Sequence, residues 1–351
     1  MDNKRPTIAD VARAARVSKS TVSRVLNNRT NYMREETRQR VLQAMDALDY
    51  RPSAVARSLV SKRTQTVGLL ISDVGNPFYP EVIRGVEDVA LQAGYDVFLC
   101  NTSYDLERGM AFVHSLADKQ VDGAMLMSSS MSDELVLQFA QYQIPVVVLD
   151  WQLGAAEGVI GTIDVDFETG IRAAADHLVD LGHRRIAHVS GPTALRTACT
   201  RRDLFLAALA QRGIDPANIV VVEGNFRIDG GRQAMAELVS LPQPPTAVFA
   251  GNDLMALGIV WEARKCGLEV PRDLSVIGLD DIMLAQQNVP SLTTVALPRY
   301  EIGNLAMRML LDLIPMAHES RSAPVCRDVV STHLQVRQST APPVDSRWQQ
   351  P

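Results

Sequence analysis

The first hydrophobic pattern in the chain has helical spacing and lies within TIADVARAARVSKSTVSRVLNN, residues 7–28. It predicts two short helices. Thr7 and Asp10 introduce the first helix with the sequence of a capping box, and Ser18 caps the second. The inward positions of the two helices are Ile8, Val11, Ala12, Ala15, Val22, Val25 and Leu26. Two short helices joined by a tight turn predict a helix-turn-helix.

The same spacing continues in REETRQRVLQAMDALDY, residues 34–50, and predicts a third helix. Its apolar face comprises Val41, Leu42, Met45 and Leu48. The sequence therefore predicts an all-α unit over residues 1–50.

From residue 66 onward, short apolar and β-branched runs alternate with helical stretches. The runs are 66–72, 96–100, 123–127, 145–150, 185–190, 219–224, 247–252 and 275–280. Strands that alternate with helices imply crossover connections and parallel sheets covered on both faces. Because eight such units exceed one ordinary domain, the sequence predicts an α/β core of two doubly wound parallel-sheet subdomains.

Several of these runs end in polar residues, namely Asp150, Asn252 and Asp280. Ligands of doubly wound sheets bind beyond the carboxyl ends of the strands. These three side chains are therefore candidate ligand contacts.

Charge is divided unevenly along the chain. Residues 1–63 contain fourteen Lys or Arg against six Asp or Glu, and the remaining residues contain twenty-one against thirty-four. A small basic unit joined to an acidic body is typical of a nucleic-acid reader with a second function, because phosphates attract the one and repel the other. A merely solvated surface can give the same counts, so the charge supports DNA binding only together with the helix pattern.

The outer face of the second predicted helix carries polar and basic side chains. They are Lys19, Ser20, Ser23 and Arg24, whose i,i+4 pairs share one side of the helix. In the major groove Arg24 can bind guanine with two hydrogen bonds, while Lys19 and Ser20 reach base edges or phosphates. The alternative is a helical bundle with a polar surface.

The sequence lacks the motifs of several other functions. It contains no GxxxxGK[ST] phosphate loop, no HExxH zinc helix and no GxSxG nucleophile elbow. Its six His and four Cys show no metal-ligand spacing, so we expect no metal and no cofactor, and the cysteines suit a reducing cytoplasm. No apolar leader or membrane-length run indicates export or a membrane partner.

Residues 7–28 resemble the DNA-binding signature of the lactose/galactose-repressor (LacI/GalR) family of bacterial transcription regulators. The resemblance implies base reading by Lys19, Ser20 and Arg24. The DNA-contacting positions that it implies are Thr7, Ser18, Lys19, Ser20, Thr21, Ser23, Arg24, Asn27, Ala56, Arg57 and Leu59.

Two positions depart from the family pattern in this part of the chain. Arg16 stands in the turn where the family usually has Gly, so Arg16 must tolerate a conformation that Gly adopts more cheaply. Arg34 replaces the usual N-cap Ser of the third helix, so that helix is expected to start less firmly.

Residues 51–65 have the composition of a linker with helical propensity. A helix of two turns is marginal by itself, and the segment resembles the family's hinge helix, which folds when paired with its dimer mate on DNA. Leu59 matches the leucine that wedges into the minor groove and kinks the duplex.

Residues 66–339 resemble a type I periplasmic sugar-binding protein, and within the family they look most like ribose-operon repressors. The effector pocket that the resemblance implies comprises Asn76, Phe78, Tyr79, Asp150, Trp151, Arg201, Phe226, Asn252 and Asp280. Sugars combine hydroxyl groups with apolar C–H faces, so charged hydrogen-bonding groups beside aromatic rings suit them. Leu297 replaces the usual Gln and Leu204 the usual Gly, which weakens the case for ribose itself but not for a small sugar, polyol or sugar acid.

These interpretations predict a headpiece over 1–50, a hinge over 51–65, an effector-binding core over 66–339 and a disordered tail over 340–351. The N-subdomain is expected at about 66–161 and 293–324, and the C-subdomain at about 162–292 and 325–339. The predicted function is that of a cytoplasmic, homodimeric DNA-binding repressor that a carbohydrate effector releases from a near-palindromic operator in the bacterial nucleoid. The alternative is a carbohydrate-handling enzyme or a plain sugar-binding protein without regulatory DNA binding.

Overall fold

The computed structural model describes residues 6–26, 33–51, 63–128, 132–151, 159–318 and 326–344. The chain divides into two compact units, residues 1–65 and 66–351. The first unit contains helices α1 (Ile8–Ala14), α2 (Lys19–Leu26) and α3 (Glu35–Ala47). Their buried core consists of Val11, Ala12, Ala15, Val22, Val25, Val41 and Ala44.

Local hydrogen bonds fix the ends of these helices. The Asp10 carboxylate accepts from the backbone N–H and the hydroxyl of Thr7, at 2.9 and 2.7 Å. Ser18 Oγ accepts from Thr21 N at 3.1 Å. The turn between α1 and α2 passes through Arg16 with φ of 50°, in the left-handed region, and Arg34 forms no side-chain cap on α3.

The second unit contains two six-stranded sheets. The first sheet has the order β11-β5-β4-β3-β1-β2 and is parallel throughout. Its strands are β1 (Thr66–Ile71), β2 (Asp96–Asn101), β3 (Gly123–Met127), β4 (Val146–Leu149), β5 (Ile160–Asp166) and β11 (Cys326–Ser331). We call this sheet and its helices the first lobe.

The second sheet has the order β12-β10-β9-β8-β6-β7, and among its described pairs only β10 with β12 is antiparallel. Its strands are β6 (Ile186–Ser190), β7 (Val220–Glu223), β8 (Ala247–Ala250), β9 (Ser275–Asp280), β10 (Thr293–Ala296) and β12 (His333–Gln335). This sheet and its helices form the second lobe.

Helices cover both faces of each sheet. They are α4 (Tyr79–Ala93), α5 (Leu106–Asp118), α6 (Asp133–Gln141), α7 (Phe167–Asp180), α8 (Arg196–Gln211), α9 (Ile228–Val239), α10 (Asp253–Lys265), α11 (Met283–Gln287) and α12 (Arg299–His318). Because of this cover, every residue of β3, β6, β8, β9 and β10 is buried. Among the described helices, none combines the length and the apolarity of a membrane span.

The chain crosses between the two sheets after β5, after β10 and after β11. Thr332 lies in the crossing after β11 and forms two hydrogen bonds with the crossing after β5. Its Oγ1 donates to Asp166 O at 2.6 Å and accepts from Gly170 N at 3.1 Å. The loops that follow the strands of both lobes therefore meet in one region.

The predicted subdomain boundaries are wrong at three strands. Thr293–Ala296 pairs with β9 in the second sheet, and Cys326–Ser331 pairs with β5 in the first. In addition, β5 belongs to the first lobe as far as Asp166, beyond the predicted boundary at residue 161. Neither β10 nor β11 contains a long apolar run, so hydropathy gave no signal for the lobe to which each belongs.

The predicted tail is ordered at its beginning. The Thr340 hydroxyl lies 2.9 Å from His177 Nε2, and Ala341 O accepts from His183 Nε2 at 2.9 Å. Ala341 N donates to Ser275 Oγ at 3.0 Å. The prediction of disorder from residue 340 is therefore wrong for 340–344, because buried polar groups of the second lobe find their partners there; residues 345–351 lie outside the described part.

Candidate functional site

A cavity lies between the two lobes, at the carboxyl ends of their strands. The structure brings to it all nine residues predicted for the effector pocket, which are Asn76, Phe78, Tyr79, Asp150, Trp151, Arg201, Phe226, Asn252 and Asp280. They come from the loop after β1 and the start of α4, from the loops after β4, β7 and β8, from the last residue of β9 and from helix α8. The topology thus gathers side chains that are more than two hundred positions apart in sequence.

Two carboxylates face this cavity from opposite lobes. Burial raises the pKa of Asp280 to about 7, against the favourable charge of Arg201. Burial likewise raises the pKa of Asp150 to about 6, opposed by Arg201 and Arg196. Both carboxyl groups therefore titrate near neutral pH and can donate as well as accept hydrogen bonds.

Backbone strain marks the same positions. Asp150, Phe226 and Asp280 have φ of 51°, 60° and 123°, in the region that favours glycine. Such conformations cost on the order of 1–3 kcal/mol each and cluster at functional sites.

Arg201 lies between the two carboxylates and the aromatic walls. Its Nη1 donates to Gly251 O at 2.8 Å, and its guanidinium lies 4.7 Å from the ring centroid of Phe167 and 5.8 Å from that of Phe226. Its Nε is buried and finds no hydrogen-bond partner among the described residues. A buried donor without a partner costs free energy, so a ligand oxygen that accepts from Nε would stabilise the site.

The side chains of the two asparagines form hydrogen bonds with backbone groups around the pocket. Asn252 Oδ1 accepts from Met255 N at 2.9 Å and so caps α10, while its Nδ2 donates to Phe226 O at 2.9 Å. Asn76 Oδ1 accepts from Phe78 N at 3.0 Å. Asn252 therefore holds the strained backbone of Phe226 in place.

The aromatic residues form the apolar walls. Phe78 and Tyr79 pack edge to face with centroids 5.2 Å apart, and the Tyr79 hydroxyl donates to Met127 O at 3.0 Å. Trp151 Nε1 donates to Asp133 Oδ1 at 2.9 Å, and the guanidinium of Arg196 lies 5.1 Å from the Trp151 ring centroid.

The sequence reasoning missed several residues of this cavity. Arg196, Thr197, Tyr104, Ser128 and Phe167 also line it. Tyr104 stacks on Phe226 with centroids 6.5 Å apart. Only Ser128 directly follows a predicted run, and such residues meet at one edge of parallel sheets, so the sequence offered a signal for Ser128 but not for the other four.

The predicted DNA-reading face is exposed on α2. Lys19, Ser20 and Arg24 are exposed, whereas Val22 and Val25 are buried on the opposite side. Ser18 Oγ lies 2.7 Å from Ser20 Oγ and 2.8 Å from Thr21 Oγ1, so hydroxyl groups cluster at the start of the helix. The other predicted contacts at this end are Thr7, which caps α1, and Ser23, which is half-buried.

The remaining predicted DNA contacts are Asn27, Ala56, Arg57 and Leu59, which lie outside the described residues. Within the described ranges, no group of three or more His, Cys, Asp or Glu side chains is placed to hold a metal ion.

Comparisons with known proteins agree with both parts of the chain. Residues 7–53 match the bacterial regulatory proteins of the lacI family, and residues 175–340 match the periplasmic binding protein-like domain. An HTH-type transcriptional repressor PurR from Edwardsiella ictaluri is 40% identical over 314 residues, which cover 89% of this chain and 92% of the relative. The chain belongs to the lacI family of bacterial regulatory proteins.

Solved structures of the family share the architecture. The lac repressor dimer bound to operator and the anti-inducer ONPF has a TM-score of 0.85 and 28% identity, covering 96% of this chain and 100% of that chain. A LacI family regulator from Enterococcus faecium with bound ribose has a TM-score of 0.71 and 30% identity, covering 79% and 99%.

The predicted family, fold class and function as a DNA-binding transcriptional regulator are confirmed by these relatives, which are regulators and not enzymes. The particular closeness to ribose-operon repressors is not confirmed, since the curated relative above is a PurR repressor.

Proposed function

We propose that this regulator represses a carbohydrate-utilisation operon from the bacterial cytoplasm and that a small sugar-type effector bound between the lobes releases it. The observation that carries the proposal is the convergence of Asp150, Arg201 and Asp280 with aromatic walls in one cavity. Charged groups that donate and accept hydrogen bonds suit hydroxyl groups, while Phe78 and Phe226 suit the apolar faces of a sugar ring.

The effector class remains broader than ribose. The Enterococcus faecium relative holds ribose, which supports a sugar for this chain. Leu297 is buried at the cavity and supplies an apolar wall where a polar contact would help to bind ribose. We therefore propose a small sugar, polyol or sugar acid.

The exposed face of α2 supports the proposed binding to operator DNA. Arg24, Lys19 and Ser20 are proposed to read bases in the major groove, and Leu59 is proposed to wedge into the minor groove. A near-palindromic operator requires two headpieces related by a two-fold axis, so the regulator is proposed to act as a homodimer. The lac repressor relative is a dimer on its operator, which supports this arrangement.

The DNA proposal is tested by substituting Arg24. Arg24→Ala should weaken binding to an operator selected from random DNA by about 1–3 kcal/mol per recognition site, with a much smaller effect on random duplex. Arg13→Ala is a matched control, because Arg13 is an exposed arginine of the neighbouring helix α1. Equal losses on both duplexes would show that Arg24 contacts only phosphate.

The effector proposal is tested by calorimetry with a panel of pentoses, hexoses, polyols and sugar acids. Arg201→Ala should abolish binding of the ligand that the wild type binds. Arg202→Ala is a matched control, because the neighbouring Arg202 pairs with Asp203 and does not line the cavity. Binding that survives in Arg201→Ala, or a panel without any ligand, would overturn the proposed site or class.

A further inference from the structure

The turn after β9 contains two consecutive strained residues. Asp280 has φ of 123° and Asp281 has φ of 56°, both in the region that L side chains rarely adopt. Such a pair persists only where surrounding contacts hold it. Because Asp280 faces the cavity, whatever holds this turn also aims a proposed effector contact.

Three side chains hold the turn. Arg299 Nη2 donates to Asp281 O at 2.6 Å, and Arg337 Nη2 donates to Asp281 Oδ1 at 2.6 Å. The fully buried Asp253 accepts from Ile282 N at 2.8 Å. All three contacts involve a charged group, which makes them stronger than neutral hydrogen bonds.

Arg299 differs from the other two because it belongs to the first lobe: it begins α12, which packs along α4 and against β3, β4 and β5. Its Nη1 lies 3.5 Å from Pro77 O. Pro77 directly precedes Phe78, which lines the cavity from the first lobe. Arg299 itself begins α12, immediately after the crossing segment that follows β10.

The two contacts of the Arg299 guanidinium differ in length. The bond to Asp281 is short, whereas the distance to Pro77 is at the limit for a hydrogen bond. Because Arg299 and Pro77 both belong to the first lobe, the distance that changes when the lobes move is the one from Nη2 to Asp281 O. That distance joins the two walls of the cavity.

We propose that Arg299 is a positioning residue that holds the turn carrying Asp280 against the Pro77–Phe78 wall of the first lobe. This proposal rests on the proposed effector site and adds the contact through which the two walls of that site are joined. Closure of the lobes around a ligand keeps the contact from Nη2 to Asp281 O, and opening lengthens it.

Arg337 provides the matched comparison. It holds the same Asp281, and its Nη1 donates to Leu292 O at 2.9 Å, so both contacts stay within the second lobe. A role limited to holding the turn would make Arg299 and Arg337 equivalent. A role in joining the walls belongs to Arg299 alone.

The test is amide hydrogen exchange of the full chain, without ligand or DNA, in wild type, Arg299→Met, Arg337→Met and Arg299→Lys. Arg337→Met should raise exchange only in residues 279–287. Arg299→Met should raise it there by about tenfold, as expected for the loss of a hydrogen bond with a charged donor, and also severalfold in residues 76–83. Lysine keeps one point charge, so Arg299→Lys should restore protection in 279–287 but not in 76–83.

Unchanged exchange at 76–83 in Arg299→Met, or the same two-segment pattern in Arg337→Met, would overturn the proposal. If Arg299→Met fails to fold, Arg299→Lys decides, since full protection at 76–83 in that variant contradicts a bridging fork. Because no effector enters the measurement, its outcome is independent of whether the proposed ligand class is correct.

Discussion

Asp280 combines a buried carboxyl group with a strained backbone at the end of β9. Its pKa is raised to about 7 by burial, from an ordinary 3.8. Between about pH 4 and pH 7 the folded chain therefore binds more protons than the unfolded chain, and the free energy of unfolding falls as the pH rises through this window. The residue is a stability cost at neutral pH, which is typical of a binding position.

Removing that charge should stabilise the core in a pH-dependent way. Asp280→Asn is expected to melt at a higher temperature than the wild type at pH 8, with a much smaller difference at pH 4.5. Thermal melts at both pH values measure this. The exposed Asp118, at the end of α5, supplies the control Asp118→Asn. A difference in melting temperature that is the same at both pH values would show that the Asp280 carboxyl group is not titrating in this range.

Arg16 is a second strained residue, in the turn of the helix-turn-helix. Its φ of 50° lies where glycine has no steric penalty. Arg16→Gly should therefore stabilise the headpiece by about 1 kcal/mol and lower amide exchange in residues 7–26 roughly fivefold. Arg16→Ala is the control, because it removes the same charge but keeps the Cβ atom. If alanine protects the amides as well as glycine does, charge and not strain is responsible.

At the scale of single residues, the sequence located much of the cavity. Asn252 and Asp280 follow apolar runs, and Arg201 was placed by resemblance alone. The contact between Arg299 and Pro77 joins residues 222 positions apart, and no local pattern reports such a pairing. Tyr104 was missed because it lies four residues after the run 96–100, in a loop whose path depends on packing.

At the scale of elements, apolar runs predicted strands well where helices cover both faces of the sheet. The prediction for 275–280 coincides with β9, and that for 66–72 covers β1. The strands that were missed are β5, β10, β11 and β12. β11 is an edge strand of mixed polarity and β12 has only three residues, while β5 and β10 mix polar with apolar residues, so none of the four shows the continuous hydrophobic run that marks a central strand.

The segment after β12 is held by a buried histidine. Burial lowers the pKa of His183 to about 4 from 6.5. Below about pH 6.5, His183 binds a proton in the unfolded chain but not in the folded chain. The stability that His183 contributes is therefore present above pH 6.5 and is lost as the pH falls towards 4. His183 Nε2 donates to Ala341 O, so loss of stability there should loosen residues 339–344 first.

Acid should therefore raise amide exchange in 339–344. Between pH 6.5 and pH 4.5 the exchange, corrected for the intrinsic rate, is expected to increase in the wild type. His183→Gln keeps a donor for Ala341 O without a group that titrates here, so its exchange should change less. His114→Gln is the control, because His114 lies at the surface of the first lobe, 3.0 Å from Tyr142 Oη. Equal acid sensitivity in wild type and His183→Gln would contradict the assignment.

At the scale of the whole molecule, DNA binding by the basic headpiece and ligand binding by the acidic two-lobed core are proposed to shift the same equilibrium between a DNA-competent and a DNA-incompetent state. A ligand can change DNA affinity only by as much as its affinity differs between the DNA-competent and DNA-incompetent states. The same free energy must appear when the order is reversed, so operator must change ligand affinity by the same factor. This reciprocity separates a regulated repressor from a DNA-binding protein that happens to carry a sugar site.

Oligomeric state belongs to the same scale. A homodimer places two headpieces on one near-palindromic operator, and we expect light scattering of the full chain to give twice the mass of 38.5 kDa. A monomer, or a tetramer, at micromolar concentration would contradict the proposed assembly.

The most direct test of the account is the coupling between the cavity and DNA. The operator dissociation constant is measured with and without the ligand that the calorimetric panel identifies, and the ligand dissociation constant is measured with and without operator. The account predicts that ligand weakens operator binding by roughly 5–150-fold, that operator weakens ligand binding by the same factor, and that Arg201→Ala binds operator without responding to the ligand. A ligand that fills the cavity around Arg201 and Asp280 yet leaves operator affinity unchanged would contradict it.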